Sequence, residues 1–164
     1  REMKSVTKTG LSGGLFAGQR YTQGRVPNPN FILNQAGFEA ATILLSGKNF
    51  GCGSSREHAV WALKEFGIRA IIAESFGEIF YNNCVRNGIL CVPLPAADIA
   101  GLGKDVTIDL PIQTVDGIAF DIPDGDKAML IGGLDPIGMT LQHKDDIAAH
   151  IAKDKAARPW VYAS

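Results

Sequence analysis

The stretch ATILLSGKNFGCGSSREHA, residues 41–59, decides which fold the chain is expected to adopt. Residues 41–45 form a short apolar run, which is typical of a buried strand. A glycine-rich turn follows at residues 49–53, and residues 55–66 repeat apolar side chains at helical spacing. A strand that leads through a loop into a helix places that loop at the carboxyl end of the strand, where open α/β folds bind their ligands.

The same alternation of strand and helix continues downstream. Gly67 predicts the end of the first helix, and residues 68–73 form a second apolar run. A second helix is expected at residues 76–86 and a third strand at residues 89–94. This order predicts parallel strands that are joined by right-handed crossovers.

The flanking regions have different patterns. Residues 1–37 are rich in Gly, Asn and Pro and predict an irregular, loop-rich segment with one short helical turn; loops of this length are often functional. Residues 106–110 and 117–122 alternate and predict antiparallel strands, whereas residues 145–164 predict a C-terminal helix and tail. The whole sequence, residues 1–164, is therefore expected to form a single mixed α/β domain.

Composition narrows the function classes. The chain has 164 residues, 46% of them hydrophobic, and a formal net charge of −1, so neither nucleic acid nor a membrane surface is an expected partner. Its three cysteines, Cys52, Cys84 and Cys91, have no C-x-x-C spacing and fit a reducing compartment better than a disulfide framework or a zinc knuckle. With no apolar run long enough to cross a bilayer and no visible signal peptide, a cytoplasmic location is expected.

The loop at residues 47–59 carries the groups suited to chemistry. Unpaired N–H groups at the start of a helix attract anions, and the loop glycines allow the backbone to turn tightly near a ligand. Ser54, Ser55 and Arg56 would add hydroxyl and guanidinium donors at the same place. Such a donor-rich cup suits a carboxylate, which Arg56 can bind through two parallel hydrogen bonds.

Structural readings of the same residues have comparable weight. Ser54-x-x-Glu57 matches a capping box, in which the serine hydroxyl only satisfies a helix amide. His58 fits a structural histidine one turn into the helix, and Cys52 fits a small packed residue. The loop lacks the third glycine of a dinucleotide fingerprint, so nucleotide binding is weakly supported.

The segment NFGCGSSREHA, residues 49–59, resembles the signature of the aconitase swivel-domain family. Within that family, the chain is most similar to the small subunits of isopropylmalate isomerase, which is also called 3-isopropylmalate dehydratase. The similarity is collinear along most of the chain, and it also includes residues 9–10, 20–21, 27–34, 76–83 and 133–143.

The resemblance implies a mixed-sheet, swivelling β/β/α domain of the aconitase C-terminal type. It also implies a large partner subunit that holds a [4Fe–4S] cluster, while this chain, which lacks closely spaced cysteines, binds no cofactor or metal itself. The implied reaction is a hydro-lyase reaction of leucine biosynthesis, in which 2-isopropylmalate and 3-isopropylmalate interconvert by dehydration and rehydration. The substrate is a small dicarboxylate.

The resemblance also assigns roles to the loop residues. Ser54 would be the catalytic base, Ser55 and Arg56 would bind a substrate carboxylate, and Gly51, Cys52 and Gly53 would form the supporting loop. Selectivity for the isopropyl group is expected from the irregular segment. A small subunit of a related hydro-lyase of the citramalate or homoaconitate type, a non-catalytic anion-binding module of the same fold, and an enzyme that homo-oligomerises and acts alone remain alternatives.

Overall fold

The computed structural model of the chain describes residues 9–53 and 55–162. The chain divides into two compact units, Arg1–Gly133 and Leu134–Ser164. Both sheets lie in the first unit, whereas the second is helical. The prediction that residues 1–164 form one domain stays a prediction.

Three short strands form a parallel sheet in the order β1-β2-β3, and three form an antiparallel sheet in the order β4-β5-β6. The strands are β1 Ile43–Leu45, β2 Ala70–Ala73, β3 Leu90–Pro93, β4 Ile108–Asp109, β5 Thr114–Val115 and β6 Ile118–Ala119. The helices are α1 Ala17–Arg20, α2 His58–Phe66, α3 Glu78–Arg86, α4 Ala96–Gly101, α5 Asp124–Gly132, α6 Pro136–Leu141 and α7 Lys144–Ala157.

The parallel sheet lies between helices and the antiparallel sheet, which gives three layers. Because side chains alternate along a strand, Ile71 and Cys91 face a core with α2 and α3, while Ile72 and Val92 face a core with Val115 of β5. All five of these side chains are buried. The β1–α2–β2–α3–β3 order predicted from the sequence is confirmed, with the strands parallel.

Helix α2 begins at His58, so the prediction of a helix from Ser55 was wrong at that end. The Glu57 carboxylate accepts a hydrogen bond from Asn87, and Glu57 itself is the N-cap residue, with no cap bond from its own side chain. The capping box that Ser54 and Glu57 could form stays a prediction, because Ser54 lies outside the described residues. Gly67 ends the helix as predicted, with φ +116° and its amide bonded to two carbonyl groups of the last turn.

The antiparallel sheet contains one strand that was not predicted from the sequence. Residues 106–110 and 117–122 do include β4 and β6, but β5 lies between them and pairs with both. Asp116 and Gly117 have φ of +48° and +85°, which suits the two-residue turn between β5 and β6. The Asp-Gly pair was the sequence signal for this hairpin.

In residues 9–37, the described part of the irregular segment, there are four short turns rather than the one predicted. Besides α1, it forms 3-10 turns at Ser12–Gly14, Gln23–Arg25 and Ile32–Asn34. Helices α4, α5 and α6 were also not predicted from the sequence. In the C-terminal unit, α7 matches the predicted helix, and the tail forms a 3-10 turn at Pro159–Val161.

Candidate active site

The first half of the loop after β1 runs alongside the chain that follows β2. Ser46 donates its amide to the carbonyl of Ile72 at 2.8 Å, which extends the parallel pairing. Further along, the Phe50 amide donates to Ser75 O and the Gly77 amide donates to Phe50 O, both at 2.9 Å. This part of the loop is therefore fixed by backbone bonds to β2 and to the residues that follow it.

Side chains reinforce that attachment. Asn49 adopts φ +57° and donates its amide to Ser75 Oγ at 2.8 Å. The Ser75 hydroxyl donates in turn to Asn49 Oδ1 at 3.4 Å, and Lys48 lies 3.8 Å from the carboxylate of Glu74. Ser75 therefore holds the loop in place through hydrogen bonds to Asn49, a role that local sequence patterns did not reveal.

Gly51 and Gly53, which have the same predicted role, have different surroundings. Gly51 has φ +81°, and a β-carbon there would overlap the ring of Phe80 in α3. Gly53 has open space around it and no positive φ. Position 51 therefore requires glycine because the backbone there lies against the ring of Phe80.

Aromatic side chains outside the loop pack against Phe50 and support it. Phe50 packs edge-on against Phe80 at 5.4 Å and against Phe76 at 6.5 Å between ring centroids. Tyr81 contacts Phe76 at 6.3 Å and donates its hydroxyl to the Asp126 carboxylate in α5 at 2.9 Å. Burial, with that bond to the Asp126 carboxylate, raises the pKa of Tyr81 and keeps it neutral.

The second half of the loop is open to solvent. Cys52, Gly53, Ser55 and Arg56 are all exposed, so the reading of Cys52 as a packed residue was wrong for its side chain. The Cys52 amide is not open, however, because it donates to Asn49 O at 3.2 Å. Ser54 lies outside the described residues, and its role as a base stays a prediction, as do the roles of Ser55 and Arg56.

The end of the loop is tied to the end of α3. The Asn87 amide donates to Glu57 Oε1 at 2.6 Å and accepts the indole N–H of Trp61 at 3.1 Å. His58 packs against Trp61 with 4.8 Å between ring centroids, which agrees with a structural histidine. Neither Asn87 nor its partners belonged to the predicted site, because nothing in the local pattern links residues 30 positions apart.

The irregular segment contacts α2 through buried Leu11 and Leu15, which share a core with Val60 and Leu63, and through the Glu65 carboxylate. Glu65 accepts the amides of Gly10 and Leu11 at 2.6 Å and of Ser12 at 2.8 Å. These hydrogen bonds, that of Gly10 first, lower the pKa of the Glu65 carboxyl. Farther along, residues 32–33 and 36–38 line a cleft of about 880 Å³ beside the edge strand β1. The loop at residues 47–59 does not line this cleft.

The part of the chain that the structure describes offers no site for a metal cluster. In the described ranges, no group of three or more His, Cys, Asp or Glu side chains could hold a metal ion. Cys84 and Cys91 are buried in the core next to α2, and the neighbouring Cys91 thiol and burial raise the pKa of Cys84. Residues 9–53 and 55–162 also contain no helix that is long and apolar enough to cross a membrane.

Comparison with known proteins identifies the family to which this loop belongs. The sequence profile of the aconitase C-terminal domain matches residues 3–97, and that of the C-terminal domain of the 3-isopropylmalate dehydratase small subunit matches residues 137–164. The 3-isopropylmalate dehydratase small subunit of Cupriavidus necator is 51% identical over 99% of this chain and 86% of that protein. The chain belongs to the family of 3-isopropylmalate dehydratase small subunits. The resemblance drawn from residues 49–59 is thereby confirmed.

Other relatives agree with that membership. The small subunits of the same name from Rhodopseudomonas palustris strain BisA53 and Xanthobacter autotrophicus are 48% and 46% identical, over 96% and 97% of this chain and 85% and 86% of those proteins. The crystal structure of a 3-isopropylmalate dehydratase from Methanocaldococcus jannaschii matches with a TM-score of 0.54 and 33% identity, covering 66% of this chain and 68% of that one. The predicted fold class, an α/β swivel domain of the aconitase C-terminal type, is confirmed.

Proposed function

We propose that the chain is the small subunit of a 3-isopropylmalate dehydratase, a cytoplasmic hydro-lyase of leucine biosynthesis that interconverts 2-isopropylmalate and 3-isopropylmalate. The observation that carries the proposal is the extent of the similarity, 51% identity over 99% of the chain to a protein of that name. The position of the signature supports it, because Ser55 and Arg56 are exposed at the carboxyl end of β1, where a substrate could reach them.

The loop residues would divide the work of proton removal. Ser54 takes the proton from the carbon next to a substrate carboxylate, and it returns a proton when water adds back. A free hydroxyl is too weak a base for this step, so its alkoxide needs preorganised donors, each worth on the order of 10²–10³ in rate. Ser55 and Arg56 bind the carboxylate and hold the reacting carbon near Ser54. Arg56 suits this role because its planar guanidinium matches a carboxylate with two parallel bonds.

The leaving hydroxyl needs a Lewis acid, and residues 9–53 and 55–162 contain no group of side chains that could hold a metal ion. A [4Fe–4S] cluster on a large partner subunit would supply a Lewis acid for that group. The positions of the cysteines support placing the cluster there, since Cys84 and Cys91 are buried and only Cys52 is exposed. The active enzyme would then be a complex of at least two different subunits, with this chain inactive alone.

A reconstitution assay tests the proposal. The chain is mixed with a large subunit whose cluster has been reconstituted, and the interconversion of the two isopropylmalates is measured. The chain alone should be inactive, and the mixture should be active. Ser54→Ala should lower kcat by at least about 10²-fold with KM little changed, because the hydroxyl acts only in the transition state.

The control removes another hydroxyl. Thr107 is exposed just before β4, and Thr107→Ala should keep wild-type kcat. Complex formation should survive in both variants and is measured separately, by gel filtration. Activity of the chain alone, or wild-type kcat in Ser54→Ala, would show that the proposal is wrong. Citramalate and homoaconitate as substrates complete the assay, and a higher kcat/KM for either of them would reassign the substrate.

A further inference from the structure

Asn87 makes three side-chain hydrogen bonds at the end of α3. Its Nδ2 group donates to Glu57 Oε1 at 2.6 Å and to Asn83 O at 2.8 Å, and its Oδ1 accepts from Trp61 Nε1 at 3.1 Å. The opposite orientation of the amide would set Oδ1 against a carboxylate and a carbonyl oxygen. It would also set Nδ2 against the indole N–H, so the three partners fix the amide in one orientation.

Glu57 is the residue that the arrangement holds most directly. Glu57 is the next residue after Arg56 in the sequence, and it is the N-cap of α2. Its carbonyl accepts the amides of Val60 at 2.9 Å and Trp61 at 3.0 Å, so the position of Glu57 defines where the helix starts. A charge-assisted bond to a carboxylate is roughly twice as strong as a neutral one, which makes the Asn87–Glu57 bond the firm anchor of this end of the loop.

We propose that Asn87 is a positioning residue, which holds Glu57 and thereby sets the place where Ser55 and Arg56 meet a substrate carboxylate. This inference rests on the proposed function for the identity of the bound group. The other end of the loop is held by backbone bonds to Ser75 and Gly77, whereas Ser55 and Arg56 are exposed between these bonds and Glu57. Displacing Glu57 therefore moves Arg56 directly, and a misplacement of about 1 Å is enough to lower rates by up to about 10²-fold.

Two substitutions separate this role from simple packing. Asn87→Asp sets a carboxylate against Glu57 but keeps an oxygen that accepts from Trp61. Trp61→Phe is the matched control, because it removes the indole donor and leaves the Asn87–Glu57 bond in place. Both variants remove a hydrogen bond that joins the start of α2 to the end of α3, and only Asn87→Asp disturbs the loop.

A third variant restores the anchor with donor and acceptor exchanged. In Asn87→Asp combined with Glu57→Gln, the introduced Gln amide can donate to the introduced carboxylate. Glu57→Gln alone keeps a carbonyl oxygen for the Asn87 amide and serves as the reference. Since Asn83 O faces the same carboxylate in the single and the double variant, the difference between them isolates the bond at residue 57.

The primary measurement is isopropylmalate turnover by each variant in complex with the cluster-bearing large subunit. Asn87→Asp should lower kcat/KM by about 10–100-fold, with a large part of the change in KM, because Arg56 binds the substrate carboxylate before the transition state. Trp61→Phe should stay within about threefold of wild type, and the double variant within about threefold of Glu57→Gln. A purely structural role would reduce only the amount of active enzyme and leave KM unchanged.

Amide hydrogen exchange of Val60 gives a second readout that needs no activity. Val60 N–H is bonded to Glu57 O, so its exchange should quicken in Asn87→Asp and slow again in the double variant. Unchanged Val60 exchange in Asn87→Asp, wild-type kcat/KM in that variant, or a double variant that recovers Val60 protection without kcat/KM would overturn the inference. If the wild-type complex does not turn over isopropylmalate, the proposed function fails, and Val60 exchange still decides whether Asn87 holds the loop.

Discussion

The parallel unit, residues 43–94, and the described part of the irregular segment, residues 9–37, are stabilised by hydrophobic burial to different extents. In the parallel unit, strands β2 and β3 bury almost every side chain, and α2 and α3 cover one face of the sheet. The irregular segment has few buried side chains, and its backbone is bonded to charged and amide groups such as Glu65. Hydrophobic burial therefore organises the parallel unit, whereas the irregular segment joins that core through Leu11 and Leu15 and is otherwise held by polar side chains bonded to backbone.

The comparison shows where each region is sensitive. Because the parallel unit is held by a packed core, substitutions on its surface, including the exposed end of its loop, should change its stability little. An atom added inside the core should destabilise it. The irregular segment loses several backbone partners when one polar side chain is replaced, since Asn34 alone donates to the carbonyl groups of Arg20 and Asn28.

The largest effect is expected from Gly51→Ala in the parallel unit. The new methyl group would overlap the Phe80 ring, and alanine disfavours φ +81°, so the free energy of unfolding should fall by about 2–5 kcal/mol. Urea unfolding measures the change. Gly53→Ala is the control, since that position has open space, and it should change the free energy of unfolding by less than about 0.5 kcal/mol. Equal destabilisation by both variants would contradict the role of Phe80.

The same contrast explains what the sequence could predict. Periodicity predicted the strands and helices of the parallel unit because burial imposes a local repeat on their side chains. β5 lies in residues 111–116, PIQTVD, where apolar and polar side chains do not alternate as they do around β4 and β6, although Asp116-Gly117 indicated its turn. The turns of the irregular segment depend on distant partners, such as Glu65 at 54 positions from Leu11, and no local pattern records them.

The site divides in a similar way. The signature and its place after β1 predicted an exposed loop, and Ser55 and Arg56 are exposed. The residues that hold the loop in place were not predictable, because Ser75 and Asn87 bond to it from 26 and 30 positions away in the sequence. The family signature thus indicated which loop residues are exposed, whereas the residues that hold the loop in place could be found only from the fold.

The next largest effect should be on activity alone. Arg56→Lys keeps the charge but loses the planar fork, so kcat/KM in the reconstituted complex should fall by about 10²-fold. Because Arg56 is exposed, the melting temperature of the chain should hardly change. Steady-state kinetics and thermal unfolding on one preparation test both statements. A melting temperature that falls in step with activity would give Arg56 a structural role and weaken the contrast with the irregular segment.

A smaller, local effect is expected from Asn34→Ala in the irregular segment. The substitution removes donors to Arg20 O at 2.7 Å and Asn28 O at 2.9 Å, and it should lower stability by about 1–2 kcal/mol. Limited proteolysis should cut the segment sooner than the parallel unit. Gln35→Ala, at an exposed position with one 3.5 Å bond, should leave the digestion unchanged. Cleavage of both regions at the same rate would show that they unfold as one.

The smallest effect should be a pH-dependent loosening of the segment where it meets α2. Glu65 is ionised to accept the amides of Gly10, Leu11 and Ser12, and those bonds lower its pKa in the folded chain below the ordinary value of 4.5. Between those two pKa values the unfolded chain binds more protons than the folded one, so stability falls as pH falls. The contribution of Glu65 is thus fully present above about pH 4.5 and is lost as pH drops through the lowered pKa.

Amide exchange at Gly10–Ser12, corrected for its intrinsic pH dependence, should accelerate over that window in the wild type. In Glu65→Gln it should be fast at neutral pH and show no such step. Glu39→Gln, at an exposed carboxylate elsewhere, should follow the wild type. An identical step in Glu65→Gln would mean that another titratable group holds the irregular segment against α2. The pH dependence could then not be assigned to Glu65.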